Sequence, residues 1–261
     1  MPNGLSRIKA IGLYLPKERS DYLPLRTFNS KEIATMSSIW IIFIGITLLS
    51  WVVQANLNSK FKKFSEIPVA GGMTGRDVAE KMLHAHGLYD VKVTCIEGRL
   101  TDHYNPTDHT VNLSREVYES CSVAAAAVAA HECGHAVQHA TAYGPLKMRS
   151  ALVPVVSFAS KYVSWILLIG ILCVESFPGL LLLGIILFAT STLFSFITLP
   201  VEINASQRAL AWLDRSGITS SYNHRDAESA LRSAAYTYVV AALSSLATLV
   251  YYVMIYMGLR D

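Results

Sequence analysis

The chain has 261 residues, of which 52% are hydrophobic and 16% are charged, and its formal net charge at pH 7 is +3. Charged residues make up about a quarter of an average soluble domain, so this composition favours a membrane protein. The small net charge gives no reason to expect a nucleic-acid partner. The four cysteines form no CxxC motif and no paired framework, which favours reduced cytoplasmic thiols over a disulfide scaffold.

Residues 1–35 carry six basic residues against three acidic ones. They lack the apolar core of a secretory signal followed by a small-residue cleavage site. The topology derived below would place this segment on the outer side of the membrane, where six basic residues break the positive-inside rule. We therefore expect the working protein to start at Met36, with a genuine N-terminal extension over residues 1–35 as the alternative.

Four apolar stretches are candidate membrane spans, and the alternative for each is a buried core helix. They cover residues 39–53, 162–177, 179–199 and 234–257. The third and fourth reach the length of about 20 residues that a bilayer needs, whereas the first two need their flanks. Lys161 stands at the start of the second stretch, and we expect its side chain to extend to the membrane interface.

The segment between the first two stretches contains short elements of a region outside the membrane. Thr74 is a candidate N-cap for a helix over residues 75–85, which has an apolar face. Residues 91–96 alternate between apolar and polar, and residues 110–113 form a second short run, so both predict strands. By analogy with zinc peptidases, residues 110–113 are expected to lie beside a cleft and bind an extended peptide by β-addition.

Residues His131-Glu132-Cys133-Gly134-His135 form a His-Glu-x-x-His motif inside an Ala-rich run that predicts a helix. Histidines four residues apart lie on one helix face, where both can bind one Zn²⁺. Glu132 points about 100° away around the helix axis and can act as general base on water at the metal. Cys133 is expected to be a small buried filler, with oxidation or metal binding as the alternative for this thiol. The alternative to a metal site is a buried helix with two hydrogen-bonded histidines.

A catalytic zinc site takes three protein ligands and keeps a fourth position for water. His139 continues the histidine series, but a straight helix places it about 12 Å from His131, too far to share an ion. Glu202, which follows the third apolar stretch, is the better candidate, because many zinc peptidases take a glutamate from a second helix downstream. Upstream, Asp102, His103 and Tyr104 are candidates for a ligand-supporting carboxylate or an oxyanion donor, and a hydrogen-bonded turn is the equal alternative.

The short link over residues 175–178 predicts that the second and third stretches form a transmembrane hairpin. Residues 56–150 and 200–233 then lie on the same side of the membrane, so Glu202 can reach the metal. Basic residues flank the spans in these two regions and are absent from the hairpin loop. The positive-inside rule therefore predicts that the catalytic side is the cytoplasmic face of the cell (inner) membrane.

Taken together, these segments resemble the YugP-type neutral zinc metallopeptidases of bacterial membranes. The resemblance runs from about Met36 to the end of the chain and implies a zinc-dependent endopeptidase activity with few established substrates. Its motifs are Gly72-Met73-Thr74-Gly75, Leu100-Thr101-Asp102-His103-Tyr104, Val128-Ala129-Ala130-His131-Glu132, Gly134-His135-Ala136-Val137-Gln138, Leu199-Pro200-Val201-Glu202 and Ala234-Ala235-Tyr236-Thr237-Tyr238-Val239.

A more distant similarity is to the HtpX-type membrane proteases, which carry Glu-x-x-Ala-Asp after a transmembrane hairpin. The same frame here reads Glu202-Ile203-Asn204-Ala205-Ser206. Serine in place of aspartate leaves open which residue supports the metal-binding histidines. Asn204 stands where the family often has an acid, so no neighbouring carboxylate supports Glu202.

The sequence thus predicts a mainly α-helical, multi-pass membrane protein with about four transmembrane helices and a zincin-like catalytic region with a small β element. His131, His135 and Glu202 are predicted to hold Zn²⁺, with Glu132 as the catalytic base. Peptides or membrane proteins are the predicted substrates. The predicted order is an N-terminal extension (1–35), a first transmembrane helix (36–55), a catalytic region (56–150), a transmembrane hairpin (151–199), a third-ligand region (200–233) and a last transmembrane helix with the C-terminus (234–261).

Two other functions stay open from the sequence. A zinc-binding, non-proteolytic membrane adaptor would need the metal ligands but no general base, so Glu132 argues against it. An ion transporter would place ionisable residues within the spans, where only Lys161 comes close.

Overall fold

The computed structural model describes residues 30–219 and 222–258, so residues 1–29 of the predicted N-terminal extension lie outside the described residues. The chain divides into two units, Met1–Trp40 and Ile41–Asp261. Of the first unit the described residues contain only the beginning of a helix, and all side-chain contacts below belong to the second. The helices are α1 (Ser30–Phe64), α2 (Gly75–Ala85), α3 (Arg115–Glu119), α4 (Val123–Ala140), α5 (Gly144–Leu172), α6 (Pro178–Arg215) and α7 (His224–Gly258), and the strands are β1 (Lys92–Ile96), β2 (His103–Asn105) and β3 (Thr110–Ser114).

Three helices among the described residues, α5, α6 and α7, are long and apolar enough to cross a membrane. Helices α6 and α7 contain the third and fourth predicted spans, and α5 contains the second up to Leu172. The prediction of a mainly helical, multi-pass protein with a small β element is confirmed. The first predicted span falls within α1, where Ile44, Leu48 and Trp51 expose more than half of their surface. That α1 crosses the membrane stays a prediction.

The hairpin of α5 and α6 is longer than predicted at both outer ends. Helix α5 begins at Gly144, and α6 continues through Pro200 to Arg215. Pro200 has no N–H to donate to the carbonyl of Phe196, but the helix resumes beyond it. The third apolar stretch and Glu202 therefore lie on one continuous helix.

The small sheet has the strand order β1-β3-β2, with β1 parallel and β2 antiparallel to β3. The strands predicted over residues 91–96 and 110–113 are confirmed as β1 and β3. The prediction that residues 110–113 bind a peptide by β-addition is wrong, because β3 is the central strand and both of its edges are paired. Strand β2, in the segment expected to be a loop, is an edge strand.

Helix α2 packs against the Ala-rich first half of α4. Thr74 caps α2 as predicted, since its hydroxyl accepts from the Asp77 N–H at 3.2 Å. In return the Asp77 carboxylate accepts from the Thr74 N–H at 2.9 Å, which completes a capping box. The buried face of α2, formed by Val78, Met82 and Leu83, belongs to one apolar core with Ala126, Ala127 and Ala130 of α4.

Candidate active site

The histidines of the motif project from the second half of α4 and converge on α6. Nε2 of His131 lies 3.3 Å and Nε2 of His135 lies 3.4 Å from Oε2 of Glu202. The candidate donor atoms of these three residues all lie within 4.8 Å of one another. The structure therefore brings together the three residues that the sequence predicts as metal ligands.

Helices α4 and α6 approach each other closely at Gly134, one of the two variable positions of the motif. A Cβ atom at Gly134 would lie 2.6 Å from the carbonyl oxygen of Ala205 and 3.2 Å from its Cα. Real Cβ atoms are essentially never found at the first of these distances. The absence of a side chain at Gly134 allows α6 to come near enough for Glu202 to face both histidines.

Both histidines are held through Nδ1 by neutral side chains. Nδ1 of His135 lies 3.0 Å from Oε1 of Gln138, whose Nε2 donates to the Val201 carbonyl at 2.8 Å. Nδ1 of His131 lies 3.1 Å from the hydroxyl of Ser206. Outer partners of this kind fix the ring orientation and leave Nε2 free to bind a metal.

Ser206 occupies the position where the HtpX-type proteases carry an aspartate. Here a neutral hydroxyl, and not a carboxylate, contacts Nδ1 of His131. Asn204 has a different role, because its Oδ1 accepts from Gln138 at 3.0 Å and from Arg208 at 2.8 Å. Gln138 ends one of the family motifs, but the sequence analysis predicted no role for it, although its place three residues after His135 on a helix is a usable signal.

Glu202 is almost fully buried and has a cationic partner that the sequence did not indicate. Nη1 of Arg149, on α5, lies 3.1 Å from Oε1 of Glu202, whose side chain is 4% exposed. Oε2 is the oxygen that faces the histidines, so the two carboxylate oxygens have separate partners. Tyr238, on α7, lines the same cleft as Glu202.

The electrostatics of the site favour a bound cation. Burial lowers the pKa of His135, but its hydrogen bond to Glu202 and the negative charges of Glu132 and Glu202 outweigh burial and raise this pKa above its ordinary value. Two imidazole nitrogens and one carboxylate oxygen are also a ligand set of catalytic zinc sites. The residues present thus fit Zn²⁺ in both charge and donor type.

Glu132 lies beside this cluster and is not one of its three candidate ligands. It is 8% exposed, and its Oε2 accepts a hydrogen bond from the main-chain N–H of Tyr104 at 3.0 Å. A carboxylate that is close to the metal ligands and held by the main chain can act as a base.

The predicted group Asp102, His103 and Tyr104 lines the same cleft, with different contacts for each residue. Asp102 accepts from the N–H and the hydroxyl of Ser114 at 2.7 and 3.0 Å, so it joins the start of β2 to the end of β3. Nδ1 of His103 lies 2.7 Å from the carbonyl of Thr101. Tyr104 reaches Glu132 through its main chain and not through its phenol.

His139 and Cys133 are both outside the candidate metal cluster. Nδ1 of His139 lies 2.9 Å from the hydroxyl of Tyr104. Cys133 is fully buried, with Sγ 3.6 Å from the carbonyl of Ala79, and burial raises the pKa of its thiol well above the ordinary value. Its side chain therefore fills the core, as predicted.

The site lies at the base of a cleft with a volume of about 470 Å³. The cleft extends between the β2 segment and the first turns of α5, which contribute Leu146, Arg149 and Val153 to its wall. Polar and apolar side chains both line it, as in a site that contacts the main chain and the side chains of a peptide.

A sequence profile described as "Putative neutral zinc metallopeptidase" matches residues 39–257. The chain belongs to this family. It is also 43% identical over 224 residues to a protein of Bacillus subtilis (strain 168) named "Putative membrane protease YugP", in an alignment that covers 84% of this chain and 99% of that protein. No solved structure matches the chain significantly.

Membership of the neutral zinc metallopeptidase family confirms the predicted resemblance and Zn²⁺ as the predicted cofactor. The similarity to a protein named a membrane protease, together with the apolar helices α5–α7, indicates that the protein is associated with a membrane.

Proposed function

We propose that the protein is a zinc-dependent endopeptidase that hydrolyses peptide bonds of peptides or membrane proteins near the cytoplasmic face of the cell (inner) membrane. The observation that carries this proposal is the convergence of His131, His135 and Glu202 beside Glu132. A metal site needs only the first three residues, whereas peptide hydrolysis also needs a base, and Glu132 supplies one.

Each residue of the site has a distinct task in this reaction. His131, His135 and Glu202 would hold the zinc ion, which would polarise the scissile carbonyl as a Lewis acid and lower the pKa of a water molecule. Glu132 takes a proton from the attacking water and passes it to the leaving amine nitrogen. Because Oε2 of Glu132 is held by the Tyr104 N–H, Oε1 is the oxygen that carries the proton.

The developing negative charge on the carbonyl oxygen needs a donor, and Tyr238 is the residue that fits this task best. Its side chain lines the cleft together with the three candidate metal ligands. In contrast, the Asp102 carboxylate and the Tyr104 phenol are engaged with Ser114 and His139. We therefore assign the oxyanion contact to Tyr238 in place of the loop residues considered from the sequence.

The cytoplasmic orientation of this site is supported by charge. Lys62 and Lys63 lie in the last turn of α1, just before the region that carries the active site, and Arg149 lies in the first turns of α5. The link between α5 and α6 has no basic residue. This distribution follows the positive-inside rule for a cytoplasmic active site.

The test is hydrolysis of a peptide mixture by detergent-purified protein, compared with Glu132→Gln and with Glu66→Gln, an exposed glutamate outside the cleft. We expect Glu132→Gln to abolish hydrolysis and keep one zinc per chain, and Glu66→Gln to behave as wild type. Trapping substrates in membranes that carry Glu132→Gln, followed by proteomics, would identify the natural substrates. Zinc binding by wild type without any hydrolysis of the peptides would instead support the non-proteolytic adaptor.

A further inference from the structure

A second cavity, with a volume of about 170 Å³, adjoins the same reacting centre. It shares His131, Glu132 and Glu202 with the cleft described above. The rest of its wall comes from α1, α4, α6, α7 and the segment before β2, with Asp102, Ser206 and Tyr238 as its polar members. The other residues are apolar: Leu57, Phe61, Leu100, Val128, Leu231, Ala234 and Ala235.

Small residues on α7 keep this cavity open. Ala234 and Ala235 are partly exposed, and each contributes only one methyl group to the wall. Leu57 and Phe61 of α1 are also only partly buried. The apolar surface beside the metal ligands is thus left uncovered by the chain's own side chains, although such surface is usually buried in a core.

We infer that this cavity is a specificity pocket that takes an apolar side chain from a residue flanking the scissile bond. The inference rests on the proposed peptidase function, because a scissile peptide must lie at Glu132 and the metal ligands. The side chains next to that bond are then within reach of a cavity that shares those residues.

The size and chemistry of the pocket define the preferred side chain. A volume of about 170 Å³ accommodates a branched aliphatic or a phenyl group, and the wall offers these groups apolar contacts. Full burial of such a side chain strengthens binding by roughly tenfold to a hundredfold over glycine. An acidic side chain would lose its hydration there and face the carboxylates of Asp102, Glu132 and Glu202, so the pocket disfavours it.

Binding of two zinc-chelating peptide hydroxamates, identical except for an isobutyl group or a hydrogen at the residue next to the hydroxamate, tests the inference without hydrolysis. Titration calorimetry on zinc-loaded wild type should show tighter binding of the isobutyl compound by about tenfold or more. Ala235→Leu should remove this preference while the affinity for the glycyl compound stays unchanged. Ala241→Leu, at an exposed position of α7 that does not line the cavity, should keep the preference.

Two further variants keep the test decisive if Ala235→Leu does not fold. Ala234→Leu should also remove the preference, and Leu57→Ala should shift it toward a bulkier naphthylmethyl group. Equal affinity of wild type for the isobutyl and glycyl compounds would overturn the inference. A preference that neither Ala234→Leu nor Ala235→Leu changes would also overturn it. Selective binding without any peptide hydrolysis would refute the peptidase function and leave the pocket standing.

Discussion

The main-chain N–H of Tyr104 donates a hydrogen bond to Oε2 of Glu132 at 3.0 Å, and so joins the edge strand β2 to the helix that carries the motif. The position of this strand depends on its pairing with β3 and on the contact between Asp102 and Ser114. The orientation of the proposed base therefore depends on the small sheet as well as on α4.

The third metal ligand is tested by comparing Glu202→Ala with His139→Ala. Glu202→Ala removes a donor oxygen and leaves Arg149 without its partner, so zinc affinity should fall by more than about a hundredfold. His139→Ala removes only a contact with Tyr104 and should change zinc affinity by less than about threefold. Metal analysis of purified protein after dialysis against a graded chelator measures both, and the opposite ranking would contradict the proposed ligand set.

The close approach of α4 and α6 is tested at Gly134. Gly134→Ala would place a methyl group 2.6 Å from the Ala205 carbonyl, so α6 must move and carry Glu202 away from the histidines. We expect zinc binding to weaken by at least about tenfold, with a lower thermal unfolding temperature. Gly144→Ala is the matched control, because a Cβ there meets nothing within 4 Å. Normal zinc affinity in Gly134→Ala would show that the contact does not position Glu202.

The proposed oxyanion contact is tested by Tyr238→Phe, which removes one hydroxyl from the site. Loss of such a donor lowers kcat by about a hundredfold to a thousandfold, while zinc content and KM should change little. Tyr236→Phe, at an exposed position on the same helix, should leave kcat unchanged. A large rise in KM at constant kcat would indicate substrate binding in place of transition-state stabilisation.

The capping box of α2 makes part of the stability dependent on pH. Hydrogen bonds from the Thr74 hydroxyl and N–H lower the pKa of Asp77 below its ordinary value. Because its pKa is lower in the folded protein, ionised Asp77 stabilises the fold at pH values above the ordinary pKa of aspartate. This stabilisation is lost as the pH falls through the lowered pKa. Asp77→Asn should therefore destabilise the protein at pH 7 by about 0.3–1 kcal/mol, the small size expected of a solvent-screened group, and weaken the acid dependence of unfolding.

Thermal unfolding in detergent between pH 3 and pH 7 measures this effect. Thr74→Ala should give the same result, because it removes the other half of the box, and Glu66→Gln should follow the wild-type curve. Parallel curves for wild type and Asp77→Asn would show that the capping box does not contribute to the pH dependence.

Local patterns in the sequence were sufficient to locate the long apolar helices, the face of α4 that carries the motif and the start of α2. Hydropathy located the apolar stretches of α5, α6 and α7, because a helix satisfies its backbone groups internally and its span follows from length. The four-residue spacing of His131 and His135 placed both on one face of α4, because an α-helix repeats about every 3.6 residues. Thr74 marked the start of α2, because a cap depends on residues only three positions apart.

The sheet and the surroundings of the metal ligands were decided by contacts between distant residues. Strand β2 has three residues and no apolar alternation, so only pairing with β3 makes it a strand, and that pairing also closes the edge that was expected to bind substrate. Arg149 reaches Glu202 from α5 and Tyr238 joins the cleft from α7, and no local periodicity marks either residue. Secondary structure and motif follow from neighbours along the chain, whereas the partners of a buried carboxylate follow from how the helices pack.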